Sequence, residues 1–373
     1  MLAHSLACHM VGFCIWYAQQ PISQAAAIEA LKKLGATIHR DLNQPGEPIV
    51  SVELLLNRKV RDDDLKYVGV LARLRKLYLH GTAVTDVGLG HIAELNELRV
   101  LELGGTRIGD AGLKSLRGMR NLEDLTLGFT KVSGEGLKHL QDLKNIRRLV
   151  LSECMVDSEG LKALHDMRKL RVLDLYGTPI DDKGLAHLAD MNDLEEVFLD
   201  RSKVTGPGLK HMRDLRAIKA ISLAQTEVGD DSMKWVADIR TLQSLILFQT
   251  KVTDSALEVL SPLPDLTHLD LGRTAVSDMG MRHVRKMQSL EELGLFRTSV
   301  GDEGLRILGG HQKLRELDLA GTLVTDSGLK YLRELPRLQT LFHGGTKLSA
   351  SKIAELGLKR TKLGSWVDLD PPK

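Results

Sequence analysis

The chain has 373 residues, and its 51 basic and 49 acidic residues nearly cancel to a formal net charge of +2. This balance argues against attraction of the whole chain to nucleic acid or to an anionic membrane surface. The three cysteines, Cys8, Cys14 and Cys154, are too few for a disulfide framework, and none has the spacing of metal ligands. We therefore expect no nucleic-acid partner and no cofactor.

The chain begins with a segment that contains a largely apolar stretch, residues 6–18, about the size of the hydrophobic region of a signal peptide. No Lys or Arg precedes this stretch, and it is too short to span a bilayer as a helix, so no integral membrane span is predicted. Residues 1–22 are interpreted either as a secretory or processed segment or as a disordered or packed extension. The localisation is therefore open between the cell envelope or exterior and the cytoplasm.

A helix is predicted to begin after Ser23, which can serve as its N-cap, because Ile28, Leu31 and Leu34 recur at helical spacing. An array of repeats needs a terminal unit that covers its first apolar face and its first strand edge. Residues 23–48 are therefore predicted to form an N-terminal cap.

From residue 49 to residue 361 the chain consists of thirteen tandem repeats. Twelve of them have 24 residues and the pattern L-x-x-L-x-L-x-x-T-x-V-x-D-x-G-L-x-x-L-x-x-L-x-x, and the first has one residue more. We call the positions of a repeat slots and number them from its first residue. The repeats begin at Ile49, Leu74, Leu98, Leu122, Ile146, Leu170, Leu194, Ile218, Leu242, Leu266, Leu290, Leu314 and Leu338. Residues 362–373 are predicted to form a C-terminal cap or tail, in which Trp366 covers the last apolar face.

The slots predict a strand, a turn and a short helix in every repeat. Slots 4 and 6 are apolar and alternate with variable slots 3, 5 and 7, as in a half-buried strand. Slots 16, 19 and 22 are apolar at helical spacing. Slot 13 is usually Asp, which suits a helix cap or first turn. Slot 9 is usually a Thr on the inner side of the turn, where its hydroxyl needs a partner. Cys154 replaces this Thr once and is interpreted as a small buried core residue.

These repeats resemble the leucine-rich-repeat family, in particular its short type with V-T-D-x-G-L turns, as residues 84–89 and 324–329 show best. The resemblance covers residues 49–361, and these repeats are similar to those of bacterial leucine-rich-repeat proteins of unknown role. It implies an α/β fold, namely a curved right-handed solenoid with a parallel β-sheet on the concave side and short helices on the convex side. Slot 9 departs from the Asn or Cys that is commoner in the family.

No catalytic motif interrupts the repeats. The sequence contains no nucleophile elbow, phosphate loop or zinc-protease motif. Histidines of slot 18 and lysines of slot 17 are interpreted as solvated stripes on the convex side. The stripes are His91, His139, His187, His211 and His283, and Lys114, Lys138, Lys162, Lys210 and Lys234. We therefore predict no catalytic residues, no metal site and no enzymatic activity.

Aromatic residues make up only 4% of the chain, and most of those in the repeats are predicted to lie on the concave sheet. They occupy slot 5 as Tyr78, Phe198 and Phe342, slot 7 as Tyr176, Phe248 and Phe296, and slot 8 as Phe129. The core is built of aliphatic side chains, and exposed rings with arginines dominate binding hot spots. The alternative is that the rings are cross-strand packing on a large β-surface.

A candidate binding surface follows from these rings and from the polar residues of slot 8. Strands of adjacent repeats lie about 4.8 Å apart, so the repeats that begin at Leu170 to Leu290 present roughly 25 Å of inner face. The candidate residues are Tyr176, Phe198, Arg201, Gln225, Phe248, Gln249, Arg273, Phe296 and Arg297. Rings beside guanidinium groups suit a peptide with apolar and acidic groups. Phe248 and Arg273 are both expected to point away from the core, so alanine at either position should leave the fold intact.

The leading functional hypothesis is a non-catalytic scaffold that binds a protein or peptide on its concave face, with a glycan as the less favoured ligand. The first alternative is a structural spacer or assembly element that acts through its ends or its convex face. The remote alternative is a substrate-recognition subunit associated with an enzyme.

Overall fold

Every repeat contributes one short strand, and the strands follow one another in chain order. The computed structural model describes residues 22–362. In this part of the chain a single sheet has fifteen strands in the order β1 to β15. β1 pairs antiparallel with β2, whereas the later pairs are parallel. The strands are β1 Thr37–Arg40, β2 Ile49–Glu53, β3 Lys76–Tyr78, β4 Val100–Glu102, β5 Asp124–Thr126, β6 Arg148–Val150, β7 Val172–Asp174, β8 Glu196–Phe198, β9 Ala220–Ser222, β10 Ser244–Ile246, β11 His268–Asp270, β12 Glu292–Gly294, β13 Glu316–Asp318, β14 Thr340–Phe342 and β15 Arg360–Lys362.

The strand register places identical slots side by side. Leu101 pairs with Leu77 on one side and with Leu125 on the other, and all three occupy slot 4. Because successive side chains of a strand point to opposite faces, the slot-4 leucines form one buried row, and slots 3 and 5 form rows on the concave face. The sequence period is thus converted into rows of like side chains.

The other side of the repeats carries short helical segments. The α-helices in the described residues are Gln24–Lys33, Leu65–Gly69, Asp86–Gly90, Asp110–Leu113, Gly134–Leu137, Met233–Ala237, Asp254–Leu260, Met281–Val284, Asp302–Leu308, Leu329–Leu332 and Ala350–Ala354. The 3₁₀-helices are Asp62–Asp64, Lys114–Leu116, Gly160–Leu164, Gly184–Leu188, Pro207–His211, Asp230–Ser232 and Asp326–Gly328. The apolar slots predicted this helical side, but its segments are short enough that the tighter 3₁₀ form serves in several repeats.

The core is one continuous aliphatic cluster along the stack. In the sixth repeat Leu170, Leu173, Leu175, Ile180 and Leu185 are each 0% exposed. A single repeat has no second layer to cover these side chains, so their burial depends on the repeats on both sides. The structure therefore confirms the predicted solenoid of leucine-rich repeats.

The slot-9 threonines close the turn that follows each strand. The hydroxyls of Thr106, Thr178 and Thr226 donate to the carbonyl oxygen three residues earlier, at 2.6 Å in each case. The predicted partner therefore exists, and it lies in the same repeat. Cys154 is 3% exposed, its thiol lies 3.1 Å from the carbonyl oxygen of Leu127, and burial raises the pKa of the thiol. It is the small buried residue that the slot predicts.

We expect Thr226→Val to lower the free energy of unfolding by about 1 kcal/mol, because a buried carbonyl oxygen loses its hydrogen bond while the shape of the side chain is kept. Thr226 is 4% exposed, and its hydroxyl lies 2.6 Å from the carbonyl oxygen of Leu223. Chemical denaturation of the two proteins measures the difference. A variant more stable than the wild type would show that the hydroxyl contributes nothing to the turn.

The slot-13 aspartates connect neighbouring repeats. The carboxylate of Asp254 accepts hydrogen bonds from the backbone N–H and the hydroxyl of Ser277, at 2.8 and 2.6 Å. Asp302 holds Thr325 of the next repeat in the same way. The N-cap is instead the slot-12 residue, such as Thr253, whose hydroxyl accepts from the backbone two residues later. Slot 13 is thus the first helical residue, as one of the two predicted roles requires, but its hydrogen bonds go to the next repeat.

The two ends of the array differ from the internal repeats. Ser23 caps the first helix, since its hydroxyl accepts from the N–H of Ala26 at 3.2 Å. The strand β1, which was not predicted, covers the outer edge of β2, and β15 covers the outer edge of β14. The signal-like segment, Cys8, Cys14 and Trp366 lie outside the described residues. The boundaries at residues 22, 48 and 361 stay predictions.

Candidate binding surface on the concave face

Slot 8 has a left-handed backbone in all thirteen repeats, with φ between 52° and 72°. Five repeats have glycine there, which adopts this conformation without strain. These glycines are Gly81, Gly105, Gly177, Gly321 and Gly345. Any other side chain at this slot costs about 1–2 kcal/mol in backbone strain. The non-glycine residues of slot 8 therefore need a reason other than backbone geometry.

Five consecutive repeats place a long polar side chain at this strained position. These residues, which we call the slot-8 row, are Arg201, Gln225, Gln249, Arg273 and Arg297. All five are exposed. Their backbone N–H groups donate to slot-7 carbonyl oxygens of the next repeat at 2.6 to 2.8 Å, so the stack holds the strained backbone in place. Strain that persists under such support is concentrated at functional sites.

Two phenylalanines of slot 7 stack beside this row. The rings of Phe248 and Phe296 have centroids 6.3 Å apart and planes inclined by 12°, although they belong to alternate repeats. Gly272 occupies slot 7 between them. A Cβ atom at Gly272 would lie 2.8 Å from Cδ2 of Phe248, so a larger residue would push this ring away. The glycine therefore allows the two rings to approach each other.

Arginines of the slot-8 row lie against these rings. The guanidinium carbon of Arg273 is 5.7 Å from the centroid of Phe248 and 5.6 Å from that of Phe296. Arg297 lies 5.1 Å from the centroid of Phe296. These are cation–π distances. We call Phe248, Arg273, Phe296 and Arg297 the ring–arginine cluster.

The ring of Phe248 is more buried than the sequence predicted. Its side chain is on the concave side, as predicted, but it is only 6% exposed. The ring lies over Gly272 and is covered by Phe296 and Arg273. Phe342 is likewise buried, with 2% exposed. Phe248 and Phe296 thus pack against each other across the strands, and of these two rings that of Phe296 stays partly exposed.

A second group forms three repeats away. Arg201 donates to the hydroxyl of Tyr176 at 3.1 Å and lies 5.6 Å from its ring centroid. It also pairs with Glu153 at 3.2 Å, a slot-8 residue that was not predicted to belong to the surface. Phe198 lies on the strand of the same repeat as Arg201, and Gln225 lies in the repeat between the two groups. The predicted residues therefore form two clusters on one face.

The two clusters differ in how their positive charges are neutralised. Arg201 has a carboxylate partner, whereas among residues 22–362 neither Arg273 nor Arg297 has a carboxylate oxygen within 4.0 Å. The side chain of Arg273 donates only weakly to Gln249, at 3.5 Å. The ring–arginine cluster thus presents two positive charges without a neutralising partner in the described chain.

A carboxyl group lies near this cluster but forms no ion pair with its arginines within the described residues. Asp270 in slot 5 is 9% exposed, and one of its oxygens accepts from the N–H of Gly272 at 2.8 Å. Burial raises the pKa of Asp270, so its charged form is disfavoured. His268 and Glu292 occupy slot 3 of the repeats that contain Arg273 and Arg297. Their side chains lie 2.7 Å apart, and this hydrogen bond lowers the pKa of Glu292.

On the convex side the five lysines of the predicted stripe are exposed, whereas four of the five histidines are half-buried, so the histidine stripe is less solvated than predicted. Trp235 lies there with Lys234 at 4.8 Å and Arg213 at 5.8 Å from its ring centroid. Within residues 22–362 no group of three His, Cys, Asp or Glu side chains is placed to hold a metal ion. In the same range, every helix is too short or too polar to cross a bilayer.

Two features of the surface were missed by the sequence analysis. The first is the left-handed backbone of slot 8, which the recurrence of glycine in five of thirteen repeats could have indicated. The second is the packing of the two rings over Gly272, for which the alternation of Phe248, Gly272 and Phe296 in slot 7 was a signal.

Comparisons with known proteins agree with this architecture. A model described as a leucine-rich repeat region matches residues 52–284, and one described as a leucine-rich repeat matches residues 310–332. No curated protein sequence matches the chain. The structure of an internalin (InlF) from Listeria monocytogenes is similar over 91% of this chain and 94% of that chain, with a TM-score of 0.65 and 21% identity. A second Listeria monocytogenes internalin (InlC2) covers 55% of this chain and 80% of its own, with a TM-score of 0.45 and 19% identity.

At 21% identity the internalin likeness concerns the fold alone. The first family model, however, spans more than half of the chain. Its match falls on the residues whose strands, turns and buried leucines repeat in register. The chain therefore belongs to the leucine-rich-repeat family.

Proposed function

We propose that this protein is a non-catalytic scaffold that binds a protein or peptide on its concave face, across the repeats that begin at Leu170 to Leu290. Leucine-rich-repeat folds are commonly protein-binding scaffolds. The observation that carries the proposal is the slot-8 row, because five adjacent repeats accept a strained backbone in order to display Arg or Gln where glycine would fit.

The spacing and chemistry of the row suit a polypeptide. Five adjacent strands span about 19 Å, and an extended segment of six residues has about the same length. Amide and guanidinium groups donate hydrogen bonds that peptide carbonyl and carboxylate oxygens accept. Partly exposed rings such as Phe296 and Tyr176 add contact area of the kind that dominates interface energetics.

Glycine variants of the slot-8 row test this proposal. Replacing Gln225 and Gln249 together by glycine removes two side chains from the surface and relieves backbone strain. We expect Q225G/Q249G to be at least as stable as the wild type, because the strain relieved, about 1–2 kcal/mol per residue, offsets or exceeds the extra chain entropy of glycine, about 0.4–1 kcal/mol. The affinity for partners captured by the intact chain should nevertheless fall at least about fivefold. Pull-down followed by titration of each captured partner measures the loss, and denaturation measures the stability.

The matched control is the pair Lys138→Ala and Lys210→Ala on the convex stripe, both of which are exposed. This control should leave binding unchanged. If the convex pair abolishes binding while Q225G/Q249G is silent, the concave-face proposal fails and an assembly element acting through the convex face takes its place.

A further inference from the structure

We infer that Arg273 and Arg297 form a carboxylate clamp, and that the partner of the concave face is therefore a protein segment with an Asp or Glu side chain next to an apolar residue. This inference rests on the proposed function and adds the chemical class of the partner. It is carried by the charge balance and the rigidity of the ring–arginine cluster.

Several other arginines beside the sheet have a carboxylate partner from another repeat. Arg99 pairs with Glu123 at 2.8 Å, and Arg201 pairs with Glu153 at 3.2 Å. Arg273 and Arg297 occupy adjacent repeats and have none within 4.0 Å in the described chain. A guanidinium keeps its charge at any physiological pH, so two positive charges without a carboxylate partner lie against the same ring, that of Phe296. A carboxylate from a ligand would supply the missing negative charge.

The rings make the two guanidinium groups a preorganised site. Arg273 lies beside the stacked rings, at 5.7 and 5.6 Å from the centroids of Phe248 and Phe296, and Arg297 lies 5.1 Å from the centroid of Phe296. Ring contacts involve the guanidinium faces and leave N–H groups at their edges for hydrogen bonds. Both guanidinium groups lie against the ring of Phe296, at 5.6 and 5.1 Å from its centroid, and the clamp requires one ligand carboxylate beside this ring to accept from both arginines. Side chains that are already ordered lose less entropy on binding.

The surroundings favour an isolated acidic residue over a polyanion. Glu292 in slot 3 lies on the strand of the repeat that contains Arg297, and Glu316 lies in slot 3 of the next repeat. Their carboxylates would repel a nucleic acid or a long acidic run that covered this part of the sheet. The partly exposed ring of Phe296 beside the clamp favours an apolar neighbour of the acidic residue instead.

Selection from a phage library of random dodecapeptides on the full chain tests the inference. We expect enriched peptides to carry Asp or Glu beside an apolar residue. The double variant R273Q/R297Q should bind a synthetic enriched peptide at least about tenfold more weakly. Replacing the acidic residue of the peptide by its amide should cause a similar loss with the wild type. The same amide replacement should cause little further loss with R273Q/R297Q, because the arginines that contact the acidic residue are already absent from this variant.

The matched control is Arg99→Gln, because its guanidinium already pairs with Glu123 at 2.8 Å and it lies outside the repeats that form the candidate surface. Gln225 and Gln249 show that the slot-8 backbone of Arg273 and Arg297 accepts glutamine. The control should change the affinity less than about twofold. If selected peptides respond to Q225G/Q249G but show no acidic preference and bind R273Q/R297Q normally, the clamp is wrong and the proposed function stands. If no concave variant affects any selected peptide, both fail.

Discussion

Leu173→Ala is expected to lower the free energy of unfolding by about 2–5 kcal/mol, the range for buried leucine truncations. Leu173 is 0% exposed in slot 4 of β7. Its register partners are Leu149 on β6 and Val197 on β8. Because backbone hydrogen bonds on both sides hold the strands at a set spacing, the neighbours have little freedom to fill the cavity, which places the loss well above that of an exposed site.

The comparison variant is Val172→Ala in slot 3 of the same strand, where the side chain is partly exposed on the concave face. We expect it to cost less than about 1 kcal/mol, because little apolar surface returns to water. Denaturant titrations of both variants give the two free energies. Equal losses at Leu173 and Val172 would contradict the assignment of inward and outward slots along the strand.

Phe248→Ala is expected to lower the free energy of unfolding by about 1.5–3 kcal/mol, as for exposure of a buried aromatic side chain. The ring is 6% exposed and stacks on Phe296 at 6.3 Å. Its removal uncovers Gly272, takes one of the two rings from Arg273, and leaves a hollow between strands β10 and β11. The variant therefore loses packing on a face for which the sequence favoured ligand contact over cross-strand packing.

Phe296→Ala is the control for this prediction, since its ring is partly exposed and its loss should cost less. Phe248→Leu, which refills part of the volume, should recover most of the stability. Denaturation midpoints and slopes of the three variants provide the measurement. A Phe248→Ala protein as stable as the wild type would show that the ring does not support the fold. Because this variant changes packing and surface together, the slot-8 glycine variants are the better probes of binding.

The repeat made most of the fold predictable. A residue such as Leu173 recurs every 24 residues in the same slot, and parallel pairing in register then places all copies in one buried row. The same reasoning identified Cys154 as a buried core residue and placed the candidate rings on the concave face. It predicted the need of Thr226 for a hydrogen bond, although the partner proved to be the carbonyl oxygen of Leu223 in its own turn.

The sequence by itself thus determined the repeat, the strand order, the inward and outward slots and the face on which Phe248 and Arg273 lie. Only the tertiary structure decided that slot 8 is left-handed, that Phe248 is buried over Gly272, and that Arg201 has a carboxylate partner while Arg273 and Arg297 have none. The physical reason is that periodicity reports what each slot requires within its own repeat. Ring stacking, charge pairing and steric room depend on which particular side chain stands one or two repeats away, and that pairing exists only once the strands are stacked.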